Sequence, residues 1–276
     1  MWEVMFWPIV ACIVLLALLV YMGLHVVQRG IIFIDIAMAQ IASLGFCLAV
    51  LLHLDLESWT TFAISLGFTL LGSAIFSLAR KRTGQVPQEA IIGIGYVVAA
   101  ALAVLLLSRA AEGDEEIKNM LVGNILLVTP AELTRTAALF AGVALFHWVT
   151  RKSFLAVSFE LDAAHQNGTK VRLWDFLFYA SLGIIVTSFV RIAGVLLVFT
   201  YLIVPAVCGI NLTRSFSWRL ITGCAIALVG GIVGLFFSFY FDLPSGAAIV
   251  CTFGAILIVV TIFAILGGGK MAEPVV

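Results

Sequence analysis

Two acids, Asp35 and Asp175, are the only carboxylates inside the long apolar runs of this chain. A carboxylate within a bilayer is costly, so one that persists there points to an ion path, a proton relay or a pairing with a nearby base. Both lie toward one end of their runs. Asp35 therefore stands either as a path-lining acid or as a partner for Arg29 or another base on that side. His25, His53 and His147 fall at or near run ends, where a histidine needs no chemical role. The cysteines Cys12, Cys47, Cys208, Cys224 and Cys251 sit in apolar runs with no CxxC pair, as small hydrophobes do. The sequence contains no HExxH, GxSxG, GxGD or GxxxxGK[ST]. Metalloprotease, serine-hydrolase and P-loop chemistry are thereby excluded, and the chain reads as a non-enzyme with no cofactor of its own.

A second kind of chemistry, docking, is suggested by the polar segment Arg151–Arg172, which long apolar runs flank on both sides. Its pattern predicts a short helix over about 156–168. Ser158 suits the N-cap, Glu160 and Asp162 fall in the first turn where the helix dipole favours anions, and Gly168 suits the C-terminal stop. Phe159 and Ala163 share one face at the i, i+4 spacing. Such a helix has too little apolar surface to fold alone. It docks on this chain or on a soluble partner, unless it is simply a solvated loop.

The elements that must position these residues are membrane spans. The 276 residues are 63% hydrophobic and 11% charged, with a mean hydropathy of +1.19, against roughly 25% charged residues in soluble domains. A span needs about 20 apolar residues. Nine runs qualify: 7–27, 32–53, 59–78, 90–107, 133–150, 173–190, 193–210, 218–240 and 246–265. The sixth and seventh are separated only by Arg191 and Ile192, so a hairpin, a broken helix or one long helix fits there, and eight spans is the alternative count. The fold expected is all-α, a single polytopic helical bundle over 1–276. The first run, which carries Glu3 and ends in QRG without a small-residue cleavage site, reads as a span that stays.

Charge sets the orientation, because lysine and arginine collect on the cytoplasmic side. With the N-terminus outside, 11 basic residues fall on inner loops and 4 on outer ones. The 151–172 segment and the C-terminus are then cytoplasmic, in a multi-pass cell-membrane (inner-membrane) protein. Formal net charge is zero, so no nucleic-acid footprint exists. The outer loop 108–130 has an acidic start and an apolar second half that suits a short interfacial helix. Gly194, Pro205, Pro244 and Gly246 mark places where helices break or pack closely.

Several motifs in order make the chain resemble the membrane permease of ABC importers for zinc, manganese and iron. They are QRGIIFIDIAMAQIASLG leading into the second span and Val122-Gly123-Asn124-Ile125-Leu126 in the outer loop. Ser158, Phe159, Glu160, Leu161, Asp162, Ala164 and Gly168 follow in the cytoplasmic helix. Gly194–Val198 with Ile203–Ala206, and Asp242-Leu243-Pro244-Ser245-Gly246, complete the series. The resemblance implies that the 156–168 helix is a coupling helix seated in a separate cytoplasmic ATPase, which binds the ATP, with Phe159 as anchor. It further implies a binding protein on the outer side and a second permease copy, in a homodimer by expectation. The sequence departs from the family at one place. Family members carry an Asp and a His one turn apart in the second span, and here Ile36 and Gln40 stand at those positions. Asp35 lies one residue early, about 100° around the helix. Gln40 offers a neutral oxygen, a poor ligand for zinc and an acceptable one for a harder ion. Asp35 and Gln40 are thus the pathway candidates, with a free metal ion or a metal chelate as substrate. A stand-alone secondary transporter is the reading of a different class.

Overall fold

The computed structural model describes residues 2–55, 58–80, 86–108, 123 and 125–266. These form α1 (Trp2–Gln28), α2 (Ile34–Leu51), α3 (Trp59–Ala79), α4 (Gln88–Leu107), a 3-10 turn (Ile125–Leu127), α5 (Pro130–Val149), α6 (Arg151–Phe159), α7 (Leu161–Gln166), α8 (Val171–Leu212), α9 (Phe216–Phe241) and α10 (Ser245–Leu266). No strand occurs among them. The interfacial helix expected in the outer loop falls largely on 109–122, outside the described residues.

Among the described residues, eight stretches are long and apolar enough to cross a membrane, and they keep the sixth and seventh expected runs as two (Val171–Val190 and Ile192–Leu212), so this is not the eight that merging those runs would give. The fifth expected run is present as α5, with 20 residues; Glu132, Arg135 and His147 dilute its hydropathy. Local chemistry sets several helix starts. Ser58 caps α3 by accepting from Thr61 N, and Ser215 caps α9 by accepting from Trp218 N. Before α5, Thr129 and Glu132 form a reciprocal capping box: Thr129 N donates to Glu132 Oε2 at 3.1 Å, and Glu132 N donates to Thr129 Oγ1 at 3.3 Å.

The helices pack as two units. One contains α1, the 3-10 turn, and the chain from Ile192 through α10. Small residues bring its helices together. A Cβ on Gly23 would run into the Leu202 carbonyl, and one on Gly234 would come within 2.6 Å of Ile249 Cα. Tyr201 lies edge-on to Phe253 at 5.0 Å.

The other unit contains α2–α4, α5 from Arg135, α6, α7 and α8 up to Arg191. Along α3, Thr61, Ser65, Thr69, Ser73 and Ser77 repeat every fourth residue, and all are buried. Their hydroxyls are satisfied largely by backbone carbonyls, as when Ser65 Oγ donates to Ala42 O at 2.6 Å. The opposite pattern covers the outside, where Leu71, Leu78, Ile94 and Leu105 are exposed. Hydroxyls turned inward and leucines turned outward suit lipid surroundings, where small hydroxyl residues let helices approach. Trp59, Trp148 and Trp218 are exposed at helix ends, the level of the membrane–water interface.

Candidate functional site

The 151–172 segment is built from two short helices rather than one. Because RKSFLAVSF continues almost directly from α5, α6 runs on to Phe159, and the backbone breaks at Glu160 (φ −134°, ψ 53°). Then α7 covers only Leu161–Gln166. Ser158 is therefore not an N-cap but a buried residue in the last turn of α6. Glu160 holds the cap position of α7 with no side-chain cap bond, so it is not in the first turn; Asp162 is. Phe159 and Ala163 lie on either side of the break, so the shared face expected for them does not form as a single helical stripe. Gly168 does end the helix, at φ +71°. Gly168 N donates to His165 O at 3.1 Å and Thr169 N to Ala164 O at 3.0 Å, a Schellman pair. Val157, Ala164 and Val171 make a small core with Ala156, Leu161 and Trp174 against it. Glu160, Asp162, Ala163, Gln166 and Asn167 are left exposed, with Phe159 half-buried. The segment thus docks on its own chain with one side and presents a polar surface with the other.

Ser158 is held from below. Arg29 Nε donates to Ser158 Oγ at 2.8 Å, and Arg29 Nη1 donates to Asp175 Oδ1 at 2.7 Å. Arg80 Nη1 donates to the same Asp175 oxygen at 2.5 Å. The Arg29 guanidinium lies 4.1 Å from the Phe178 ring centroid, close enough for a cation–π contact. The side chains of Arg29 and Asp175 are 1% and 0% exposed. Burial draws the Arg29 guanidinium below its ordinary value while Asp175 pushes it back; an arginine remains charged under such opposing pulls. Arg29 is thus the partner of Asp175, and of the two alternatives for Asp35 the pairing with Arg29 is not made.

Asp35 is fully buried in the first turn of α2, where Oδ1 accepts from Ile36 N at 2.8 Å. Its second oxygen, Oδ2, makes no hydrogen bond among the described residues. Gln40 is half-buried on the same helix, five residues and about 140° further round. The structure leaves them on different faces of α2. Among the described residues no group of three or more His, Cys, Asp or Glu could hold a metal ion.

The helix-break residues divide by role. Gly194, at φ +77° and ψ 159°, interrupts α8, so the short sixth–seventh connection is a broken helix. Gly123 (φ +62°) seats against this break, and a Cβ there would collide with the backbone of Ala193 and Gly194. Ile125 N donates to Ser245 Oγ at 3.1 Å, so the outer-loop motif is tied to the start of α10. Pro205 lies within a helix, its carbonyl 3.0 Å from where a Gly223 Cβ would stand. Pro244 precedes α10, its carbonyl accepting from Ala248 N at 3.0 Å, and Gly246 is buried in the first turn.

Residues 1–264 match the ABC 3 transport family. The chain belongs to this family. As a family member it is a membrane permease, not an enzyme. It is 28% identical over 201 residues to the manganese transport system membrane protein MntC of Listeria innocua, covering 70% of this chain and 71% of that one. It is 25% identical over 217 residues to the chelated iron transport system membrane protein YfeD of Yersinia pestis, covering 78% and 73%. PsaBC from Streptococcus pneumoniae, solved in complex with Fab, has the same fold at a TM-score of 0.79 and 23% identity, covering 94% of this chain and 91% of that one.

Membership of the ABC 3 family agrees with the motifs read from the sequence, and the most connected residue in the site, Arg29, lies in the first of them, although its partners do not. From the sequence Arg29 is a basic residue of an inner loop and one candidate partner for Asp35. Its burial partners lie 129 and 146 residues away, beyond the reach of local pattern. The glycine after it, Gly30 at φ +64°, was the available hint of a specific turn.

Proposed function

We propose that this ABC 3 permease forms the transmembrane path of an ATP-driven importer for a divalent metal ion, manganese or iron before zinc. A separate cytoplasmic ATPase binds and hydrolyses ATP, and the 151–168 segment seats in it. A binding protein delivers the ion on the outer side, and two permease copies enclose the path. The observation that carries this reading is the two-helix segment, buried on one side and polar on the other, lying between spans of a chain of this family. The excess of lysine and arginine on its side of the membrane supports a cytoplasmic position, with the N-terminus outside. Ser158, Phe159, Glu160, Asp162, Ala164 and Gly168 form or shape the coupling segment. Asp35, with a buried oxygen to spare, and Gln40, with a neutral one, are the residues proposed to line the path.

A chelated metal is the second reading. It is favoured by Ile36 and Gln40 standing where an Asp and a His would grip a free ion, and by a relative named for chelated iron. Affinity purification of the tagged chain from gently solubilised membranes tests the common core of both readings. An ABC ATPase subunit should accompany it in stoichiometric amount. A functional chain that purifies alone would be a stand-alone transporter.

A further inference from the structure

The turn between α1 and α2 carries more long-range bonds than its sequence requires of a connector. Arg29 reaches Ser158 in the last turn of α6 and Asp175 near the start of α8. Through that carboxylate it meets Arg80, the C-cap residue of α3. Three residues on, Ile32 N donates to Glu89 Oε1 in the first turn of α4 at 2.9 Å. Next to Glu89, Gln88 Nε2 donates to Tyr179 Oη at 3.0 Å, returning to α8. The turn that opens α2 is thus bonded directly to α4, α6 and α8 and, through Asp175, to the C-cap of α3, all in one unit of the fold.

We infer that Arg29 is a positioning residue of the transport cycle, carrying displacement of the 151–168 segment through Ser158 to the membrane helices of this unit. This rests on the coupling reading above. Ser158 sits two residues before the Glu160 break, so its bond ties the rigid end of α6 to the membrane body, while α7 beyond the break is held to α8 by apolar packing. The bond there joins a neutral hydroxyl to a buried guanidinium that is otherwise clamped to Asp175. Pulling on Ser158 therefore pulls on the ion pair. The network also has room to re-pair. Arg29 Nη2 and Asp175 Oδ2 make no hydrogen bond among the described residues, and Asp175 receives two arginines on one oxygen. A buried polar network that is only partly satisfied suits two arrangements better than one. A purely stabilising ion pair would need neither the serine link nor the shared oxygen.

The test uses the whole transporter, copurified with its ATPase and binding protein and reconstituted in vesicles, with manganese(II) as probe. Ser158→Ala removes the acceptor. The complex should assemble and hydrolyse ATP, while manganese(II) moved per ATP falls by about fivefold or more, the size of a typical coupling between sites. Ser158→Thr keeps the hydroxyl and should keep the ratio close to that of the parent. If Ser158→Ala does not assemble, Arg29→Lys, which keeps the charge and loses the fork, is read in the same way. An unchanged ratio in these variants, with only the yield of folded complex reduced, would reduce Arg29 to a structural ion pair and overturn the inference alone. A parent complex that hydrolyses ATP but moves none of manganese(II), iron(II) or zinc(II), tried in turn, would overturn the free-ion reading and this inference together.

Discussion

Asp175 and Arg80, 95 residues apart, meet at 2.5 Å through the same carboxylate oxygen that receives Arg29. One acid therefore holds two guanidiniums, and it is completely buried. Asp175→Ala leaves both unpaired, and the expected loss of stability is about 3–5 kcal/mol, as for other broken buried pairs. Adding Arg29→Met to that variant removes one stranded charge and should recover part of the loss. Thermal unfolding of the detergent-solubilised protein measures both.

Helix contacts through glycine should show a sharp contrast. Gly23 lies against the Leu202 carbonyl, whereas nothing stands within 4 Å of the Cβ position at Gly67. Gly23→Ala should destabilise by about 1–3 kcal/mol, the cost of overpacking. Gly67→Ala should be neutral or stabilise by up to about 1 kcal/mol through helix propensity. The same melting experiment separates them.

Asp35→Asn keeps an oxygen for the Ile36 N–H and removes the charge. If Asp35 lines the path, manganese(II) uptake falls by about tenfold or more, equivalent to roughly 1.4 kcal/mol of ion binding, with little change in melting temperature. Unaltered uptake would assign Asp35 to helix capping alone.

Phe159 stands at the junction of α6 and α7, next to the exposed acids. Phe159→Ala should weaken attachment of the ATPase by about 2 kcal/mol or more, as loss of an aromatic anchor does, and should stop ATP-driven transport without preventing membrane insertion. Copurification yield of the ATPase and uptake by vesicles are the two readouts.

Legibility from sequence followed the range of the interactions involved. Trp59–Ala79 and Gln88–Leu107 were placed within two residues, because apolar runs and flanking polar residues are local signals. Gly168 and Gly194 were found because a left-handed or broken backbone selects glycine. Ser158 was misread for the same reason that caps are usually readable: a serine followed by acids looks like a helix start. Its hydroxyl is instead bonded to an arginine 129 residues earlier, and nothing local distinguishes the two uses. Asp35 was open to pairing with Arg29 on proximity in sequence, while the structure gives that arginine to Asp175. The Gly123 contact with the α8 break was likewise invisible, although the motif around it was noticed.

Metal import by this chain is measured by the elemental content of cells with and without it. The cells are starved in turn of manganese, iron and zinc. Cells lacking the chain should show a selective fall in one metal, manganese or iron, restored by the parent sequence and not by Phe159→Ala. Unchanged content of all three metals, or a rise in any of them, would contradict it.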